Sequence, residues 1–374
     1  MLINIARLCL AATMAQICAF SAHAGEVRLA STYYSASHPV PHFHFDGPVT
    51  EGDVGRLSDL FEANVDCADE QLLPEGGNCA IISLHSPGGN YVEGLMFAQF
   101  LRDNRIASIV EPEAECYSAC AFAFLGGSGF STQGGIGVYV DRMVAPGAIL
   151  GFHAPYFAAE SLDGLVAQFG LDTVLGASRD DISLMVRELV NWNVDAKVLG
   201  YVVSMGPEET YDILTGEDYF LTRSALPPDL AFNDTTSVAD AVFNACMYLL
   251  AEHESRFPST LLDRITETSM TEIGVDASGA RIVGYRLGPD NPLGLTFCGM
   301  PDAQIEGNGE ADIALYTGAG IQGDIRPMLT FFQRPNGWSS LGGTGNISRS
   351  IFQKGAMNTM FLSPSAIVDA GMFR

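Results

Sequence analysis

Two patterns of apolar residues alternate along the first half of the chain: short continuous runs and runs with helical spacing. The short apolar runs, bounded by turn residues, predict buried strands at residues 79–84, 106–110 and 149–152. The helical spacing predicts helices at residues 53–64, 92–101 and 117–125. Strands and helices in this order predict an α/β fold with a parallel sheet and right-handed crossovers.

The second half of the chain has a different character. Residues 160–204 have mostly helical patterns, and residues 237–254 predict a further helix. Beyond about residue 235 the chain is richer in Gly, Asn, Pro and Thr, and its short apolar runs at 281–285 and 311–316 suggest strands. We therefore predict an α/β domain over residues 25–235, followed by a smaller α+β C-terminal module of unknown role over residues 236–374.

The first 24 residues have the features of an export signal. Arg7 gives a short positive region, and residues 8–20 form an apolar run that is too short to span a bilayer. Ala22-His23-Ala24 matches a small-x-small cleavage site. We predict a signal peptide over residues 1–24 with cleavage after Ala24, a retained membrane anchor being the alternative. No later apolar stretch reaches membrane length, so no membrane span is expected after cleavage.

The net charge limits the class of partner. The chain of 374 residues carries a formal charge of −25, and its lysines number two, Lys197 and Lys354. Nucleic-acid binding requires clustered Lys and Arg, and anionic lipid is repelled by the same acidic surface. We therefore expect no nucleic-acid partner.

The cysteine count agrees with export. Six cysteines follow the signal segment: Cys67, Cys79, Cys116, Cys120, Cys246 and Cys298. An even number in an oxidising compartment predicts disulfides, although six cysteines permit 15 connectivities. Order along the chain favours the pairs Cys67–Cys79, Cys116–Cys120 and Cys246–Cys298.

Metal and cofactor sites are weakly indicated. His38, His42 and His44 have spacing that could chelate a metal. The alternation of His and Phe over residues 42–45 is also typical of a strand, which explains the pattern without a metal. The cysteines include no Cys-x-x-Cys pair of the kind found in zinc sites. We predict neither a metal nor a cofactor.

Four features together would support acyl transfer by a serine, which needs a hydroxyl, an imidazole, a carboxylate and two free backbone amides. Ser118 lies in Cys-Tyr-Ser-Ala-Cys where a loop gives way to a predicted helix, so it is either a helix cap or a nucleophile. Gly88-Gly89 follows a buried strand and could approach a substrate carbonyl. His153 follows another strand, and Asp218 lies in an acidic loop.

The order of these motifs resembles the proteolytic subunit of Clp protease (ClpP), a member of the ClpP/crotonase superfamily. Ser86-Pro87-Gly88-Gly89, then a helix, a strand and Ser118-Ala119, are similar to ClpP. Residues 218–222, Asp-Tyr-Phe-Leu-Thr, resemble its Asp-Arg-Phe-Leu-Ser, and Gly-Phe-His153-Ala-Pro resembles its Ile-His-Gln-Pro. The resemblance covers roughly residues 40–230. The Cys-x-Ser-Ala-Cys form is similar to secreted ClpP-like proteins of Gram-negative bacteria, which implies a periplasmic or secreted protein.

The resemblance implies a ClpP/crotonase-like fold of repeated β-β-α units and a set of catalytic roles. Ser118 would be the nucleophile, His153 the general base and acid, and Asp218 the carboxylate that orients the imidazole. The N–H groups of Gly89 and Ala119 would form the oxyanion hole. The expected activity is an ATP-independent peptidase on peptides or unfolded protein, because ATP is lacking outside the cytoplasm. A homo-oligomer is implied by the family alone.

Departures from the family leave alternatives open. The intervals from Ser118 to His153 and on to Asp218 are longer than in ClpP, which predicts insertions around residues 130–145 and 160–210. The chain could instead be a catalytically inactive scaffold or a peptide-binding protein of the cell envelope. Crotonase-type chemistry on a thioester, a Ser–Lys dyad with Lys197 at an exposed helix start, and His85 as the base are further alternatives.

Overall fold

The computed structural model describes residues 25–34, 39–67, 77–131, 137–157, 159–206, 209–227, 238–265, 269–275, 279–288, 295–302, 310–317, 328–334, 337–344 and 362–372. The predicted signal segment, His38 and the predicted boundary at residue 235 lie outside these described residues. Within them, no helix combines the length and apolar character needed to cross a membrane.

The first part of the chain contains ten strands and seven helices among the described residues. The strands are β1 Glu26–Tyr34, β2 Pro39–Asp46, β3 Ala80–His85, β4 Ile106–Val110, β5 Glu115–Tyr117, β6 Ser128–Ser131, β7 Gly137–Val140, β8 Arg142–Val144, β9 Ile149–Phe152 and β10 Tyr211–Asp212. The helices are α1 Asp53–Asn64, α2 Tyr91–Asp103, α3 Ala119–Phe124, α4 Ala159–Phe169, α5 Leu171–Asn191, α6 Ala196–Ser204 and α7 Gly216–Thr222.

The larger sheet of this part has the strand order β1-β2-β3-β4-β8. Strands β2, β3, β4 and β8 are parallel, while β1 adds to the edge as an antiparallel hairpin with β2. Helices α1 and α2 are the crossovers between parallel strands, as short βαβ units require. Phe43, Phe45, Ile82 and Leu84 are fully buried beneath them. This confirms the predicted α/β class.

A second, three-stranded sheet has the order β10-β9-β5 and leads directly to the candidate site. Strands β5 and β9 are parallel, and Ser86, just beyond β3, bridges in parallel to Cys116 of β5. Strands β3, β5 and β9 therefore run in one direction, so their C-terminal ends lie at the same edge. The helix predicted from residue 117 begins at Ala119, because residues 115–117 pair with β9 instead.

Three helices, α4 to α6, lie between β9 and β10, as the helical pattern over 160–204 predicted. The C-terminal half of α5 is anchored, since Met185 and Leu189 are fully buried and Trp192 follows them into the core. The N-terminal half is more open, with Leu171 and Leu175 about half exposed, at 56% and 48%. These helices occupy most of the interval between His153 and Asp218.

The C-terminal part is built on an antiparallel sheet, β11 to β16, whose strands follow one another in chain order. They are β11 Thr271–Val275, β12 Arg281–Arg286, β13 Leu295–Pro301, β14 Glu310–Thr317, β15 Met328–Arg334 and β16 Gly337–Thr344. Helix α8, Val238–Glu254, packs on β12, β13 and β14. Near the C-terminus, Ile367 bridges to Thr215, which ties the end of the chain to the start of α7.

All three predicted disulfides are confirmed. Their Cα atoms are 5.5 Å apart in Cys67–Cys79, 5.2 Å in Cys116–Cys120 and 5.8 Å in Cys246–Cys298. The first joins the loop after α1 to the start of β3, and the last joins α8 to β13. The middle pair encloses Ser118. Disulfides at these positions are compatible with a periplasmic or secreted protein.

Candidate active site

Ser118 occupies a strained turn between β5 and α3. Its φ of 57° and ψ of −121° are unusual for a residue with a side chain, and such conformations cost about 1–3 kcal/mol. It stands at the N-cap position of α3, yet its side chain caps no backbone amide. No hydrogen bond to its Oγ is found among the described residues, and the residue is half-buried. The capping role is therefore excluded, and the hydroxyl has no hydrogen-bond partner among the described residues.

The neighbouring backbone holds this turn in place. The Tyr117 N–H donates to the Ser86 carbonyl at 3.0 Å, and the Ser118 N–H donates to the Gly151 carbonyl at 3.0 Å. The Cys116–Cys120 disulfide closes the turn from both sides. Ser118 is thus fixed by β3, by β9 and by a covalent link.

Gly88 packs against Ser118 and Gly89 packs against Val49, each too closely for a residue with a side chain. Gly88 has a φ of +96°, and a Cβ placed on it would lie 2.6 Å from the Ser118 Cβ. Gly89 has a φ of +144°, and its Cβ would lie 2.2 Å from the Val49 carbonyl oxygen. Both positions therefore require glycine.

Two backbone amides at this junction, those of Gly89 and Ala119, have no acceptor among the described residues. Val49 binds the Gly88 carbonyl and the Asn90 amide, at 2.8 Å each, which leaves the Gly89 N–H on the other side of the segment. Gly89 is exposed. In the described part of the chain, neither the Gly89 nor the Ala119 amide donates a hydrogen bond. Two unpaired N–H groups beside a free hydroxyl have the composition of an oxyanion hole.

His153 follows β9 immediately, at the same sheet edge as Ser118. The register pairs Tyr117 with Gly151, so Ser118 and His153 leave neighbouring parallel strands within two residues of that pair. The His153 Nδ1 lies 2.9 Å from the carbonyl oxygen of Ala154. If Nδ1–H donates to that carbonyl, the neutral imidazole keeps Nε2 free as a base.

The Asp218 carboxylate accepts hydrogen bonds from residues at and just before the start of its own helix, α7. Oδ1 accepts the Tyr211 O–H at 2.5 Å, and Oδ2 accepts from the Thr215 N–H at 2.8 Å and the Thr215 O–H at 2.7 Å. With Thr215, Asp218 forms the capping box of α7. Burial, followed by the nearby Asp218 carboxylate, raises the pKa of Tyr211. Among the described residues, no hydrogen bond joins the side chains of Ser118, His153 and Asp218.

Tyr211 nevertheless connects Asp218 to the region of the histidine. It pairs with Phe152 in the antiparallel β10–β9 ladder, one residue before His153. Asp212, its neighbour, pairs with Gly151 and is a second carboxylate beside β9 that sequence reasoning missed. Its Oδ1 accepts the Thr210 O–H at 2.7 Å.

The alternative base, His85, and the lysine of the alternative Ser–Lys dyad, Lys197, both make other contacts. His85 Nδ1 accepts the Glu115 N–H at 3.0 Å, which places the proton of a neutral His85 on Nε2. Lys197 Nζ binds the two carboxylate oxygens of Asp195 at 3.0 and 2.9 Å. Lys197 does start α6, but it is half-buried rather than exposed, because it folds back onto this carboxylate.

One buried polar group was not anticipated. The hydroxyl of Ser83 lies 2.5 Å from His42 Nε2 and donates to Glu111 Oε1 at 2.7 Å. The three residues come from β2, from β3 and from the end of β4. Burial lowers the pKa of His42, while the Glu111 carboxylate acts in the opposite direction. The strand alternation over residues 42–45 is confirmed as β2, although the cross-strand partners depend on register and could not be predicted.

In the described residues, no three side chains of His, Cys, Asp or Glu are grouped so as to hold a metal ion. Neither a scan against protein families nor a search of the curated proteins finds a match for this chain. The functional argument therefore depends on the geometry around Ser118.

Proposed function

We propose that this chain is an exported serine hydrolase with a ClpP/crotonase-like catalytic domain, acting as an ATP-independent peptidase. The observation that carries the proposal is the state of Ser118. Its hydroxyl is uncommitted, its backbone is strained, and it lies beside the unpaired amides of Gly89 and Ala119. A purely structural serine has no reason to hold this conformation.

The proposed chemistry follows the acyl-transfer sequence. Ser118 Oγ attacks a substrate carbonyl while His153 Nε2 takes the hydroxyl proton. The carbonyl oxygen becomes an oxyanion that accepts from the Gly89 and Ala119 N–H groups. The imidazolium then protonates the leaving amine, and water hydrolyses the acyl-enzyme by the same route.

Asp218 is proposed as the carboxylate that orients His153, which requires an exchange of hydrogen bonds. In the resting arrangement the Ala154 carbonyl lies at Nδ1, and Tyr211 holds Oδ1 of Asp218. Catalytic hydrogen bonds are often formed fully only when substrate is bound. Release of Tyr211 from Oδ1 would let the carboxylate turn toward the imidazolium.

A peptide substrate is supported by the backbone of residues 88–90. One side of this segment pairs with Val49, and the other side presents the exposed Gly89 N–H. An extended peptide could pair with that free side as an added strand, which would bring its carbonyl to Ser118. The proposed homo-oligomer is supported by the family resemblance alone.

A second candidate function is a peptide-binding scaffold of the cell envelope without catalysis. The specific observation in its favour is that Asp218 is fully used by Tyr211 and Thr215. If that capping box is permanent, the strand-pairing edge remains while the triad does not form.

Reaction with a fluorophosphonate separates the two. The purified mature protein, residues 25–374, should be labelled, and mass spectrometry should map the adduct to Ser118. Labelling should disappear in Ser118→Ala and fall strongly in His153→Gln, with His85→Gln as the matched control that keeps it. A folded wild-type protein that binds peptides but is never labelled would favour the scaffold instead.

A further inference from the structure

Arg142, on β8, is a charged residue that forms no ion pair with a carboxylate in the described part of the chain. Its side chain is fully buried, at 0% exposure. One guanidinium nitrogen, Nη2, donates to the Trp192 carbonyl at the C-terminal end of α5. Its Nε and Nη1 are buried without a hydrogen-bond partner in the part of the chain that the structure describes.

The surroundings of Arg142 contain a further hydrogen-bond donor and two more positive charges. The indole Nε1 of Trp192 is also buried without an acceptor among the described residues, and it is likewise a donor. Burial, and then the positive charges of Arg102 and Arg223, lower the pKa of Arg142. The Asp195 and Glu252 carboxylates nearby interact with Arg223 and Lys197 instead.

Water would satisfy these donors but would not neutralise the charge. An arginine keeps its proton at any physiological pH, so Arg142 cannot become neutral as a buried lysine can. A buried, unpaired charge costs several kcal/mol, and the partial negative charge of one helix end offsets only part of this. Because Arg142 is fully buried, only a small, enclosed ion could neutralise its charge there, not an extended ligand.

We propose that Arg142 and the indole N–H of Trp192 form a buried binding site for a small monovalent anion of the chloride class. The site lies on β8 and at the end of α5, away from Ser118, and it is independent of the proposed hydrolase activity. Its role would be to lock the C-terminal end of α5 against the larger sheet.

The test is a thermal unfolding series of the mature protein in sodium chloride and in sodium gluconate at equal ionic strength. Chloride at about a hundredfold excess over its Kd should raise Tm by roughly 5 °C relative to gluconate. Arg142→Met should lose this difference, and Trp192→Phe should reduce it. Arg187→Met, which removes an exposed arginine of α5, should keep it in full.

Crystals grown in bromide decide the question even if Arg142→Met fails to fold. An anomalous peak within hydrogen-bond distance of Arg142 Nη1 or Nε is the expected result. Water or a protein carboxylate at that place would overturn the proposal. So would a wild-type Tm that does not distinguish chloride from gluconate.

Discussion

Two serines in this molecule lie near a histidine, and their surroundings are opposite. Ser83 is in the middle of β3, is 1% exposed, and is hydrogen-bonded to both His42 and Glu111. Because its single proton goes to Glu111, it must accept from His42 Nε2, so His42 acts as a donor and not as a base. Ser118 has no hydrogen-bond partner for Oγ among the described residues and stands in a strained turn beside two unpaired amides.

The comparison shows that short distances between Ser, His and a carboxylate do not by themselves indicate catalysis. The buried hydroxyl of Ser83 is satisfied by His42 and by the partly exposed Glu111, as buried polar groups must be. The Ser118 region leaves donors and a hydroxyl unused at a strand edge, which is the state that a reacting carbonyl would complete. Polar groups that have no partner among the described residues are therefore the better signal.

The largest expected effect comes from exchanging the two serines for alanine. Ser118→Ala should lower kcat/KM on a peptide ester by at least about 10³-fold, since the nucleophile is lost. Ser83→Ala should keep turnover within about twofold and instead destabilise the fold by about 1–3 kcal/mol, because the hydrogen bonds of its buried hydroxyl with His42 and Glu111 are lost. Steady-state kinetics and urea unfolding measure the two quantities. Loss of activity in Ser83→Ala with an intact fold would reverse our assignment.

A second large effect concerns the orienting carboxylate. Asp218→Asn should lower kcat/KM by about 10³- to 10⁴-fold, because an amide cannot stabilise the imidazolium and favours the wrong tautomer. Asp212→Asn, the other carboxylate beside β9, serves as the control and should change kcat/KM by less than about threefold.

Tyr211→Phe is a further variant for this test. It removes the hydrogen bond to Oδ1 of Asp218, so the carboxylate is free to turn toward His153, and kcat/KM should not fall. If Asp218→Asn instead remains within tenfold of the wild type, the Ala154 carbonyl is sufficient to hold His153 and the site works as a dyad.

Local periodicity explains how much of the fold could be predicted. Residues 53–64 were predicted as a helix, and α1 has those bounds, because its apolar stripe and polar face lie within one short segment. Strand β5 was missed because its three residues become a strand only by pairing with β9, more than 30 residues away. Non-local pairing of this kind leaves little trace in a local pattern.

The candidate site also contains some residues that local sequence could predict and others that it could not. Gly88, Gly89 and Ser118 could be selected from sequence because glycine next to a strand and serine at a helix start are local features. The Thr215-x-x-Asp218 spacing carried the signal of a capping box, which would have indicated the competing role of Asp218. The partners of Ser83 depend on the parallel register of β2, β3 and β4, which no single segment specifies.

A smaller effect is expected from the disulfide around Ser118. Removing it in Cys116→Ala/Cys120→Ala should slow fluorophosphonate labelling by roughly tenfold, because the turn can then relax from its strained conformation into unreactive ones. Cys246→Ala/Cys298→Ala removes a disulfide from the C-terminal part and should leave the labelling rate unchanged. Equal rates in both double variants would show that the backbone contacts of β3 and β9 hold Ser118 without the disulfide.

The smallest expected effect is on the pH dependence of the unfolding free energy, through His42, which is hydrogen-bonded to Ser83. The pKa of His42 lies below its usual 6.5 in the folded state, chiefly because of burial, with Glu111 opposing and His44 and Arg28 adding to the shift. The unfolded chain therefore binds more protons between the two values, and the stability from this group is lost as pH falls below about 6.5. His42→Gln should flatten the decline in unfolding free energy between pH 7 and 5 by about 1 kcal/mol or less. His85→Gln is the control, since the half-buried His85 accepts a backbone amide at a strand end.

If the slope of unfolding free energy against pH is unchanged in His42→Gln, Glu111 compensates the buried charge of His42 in full.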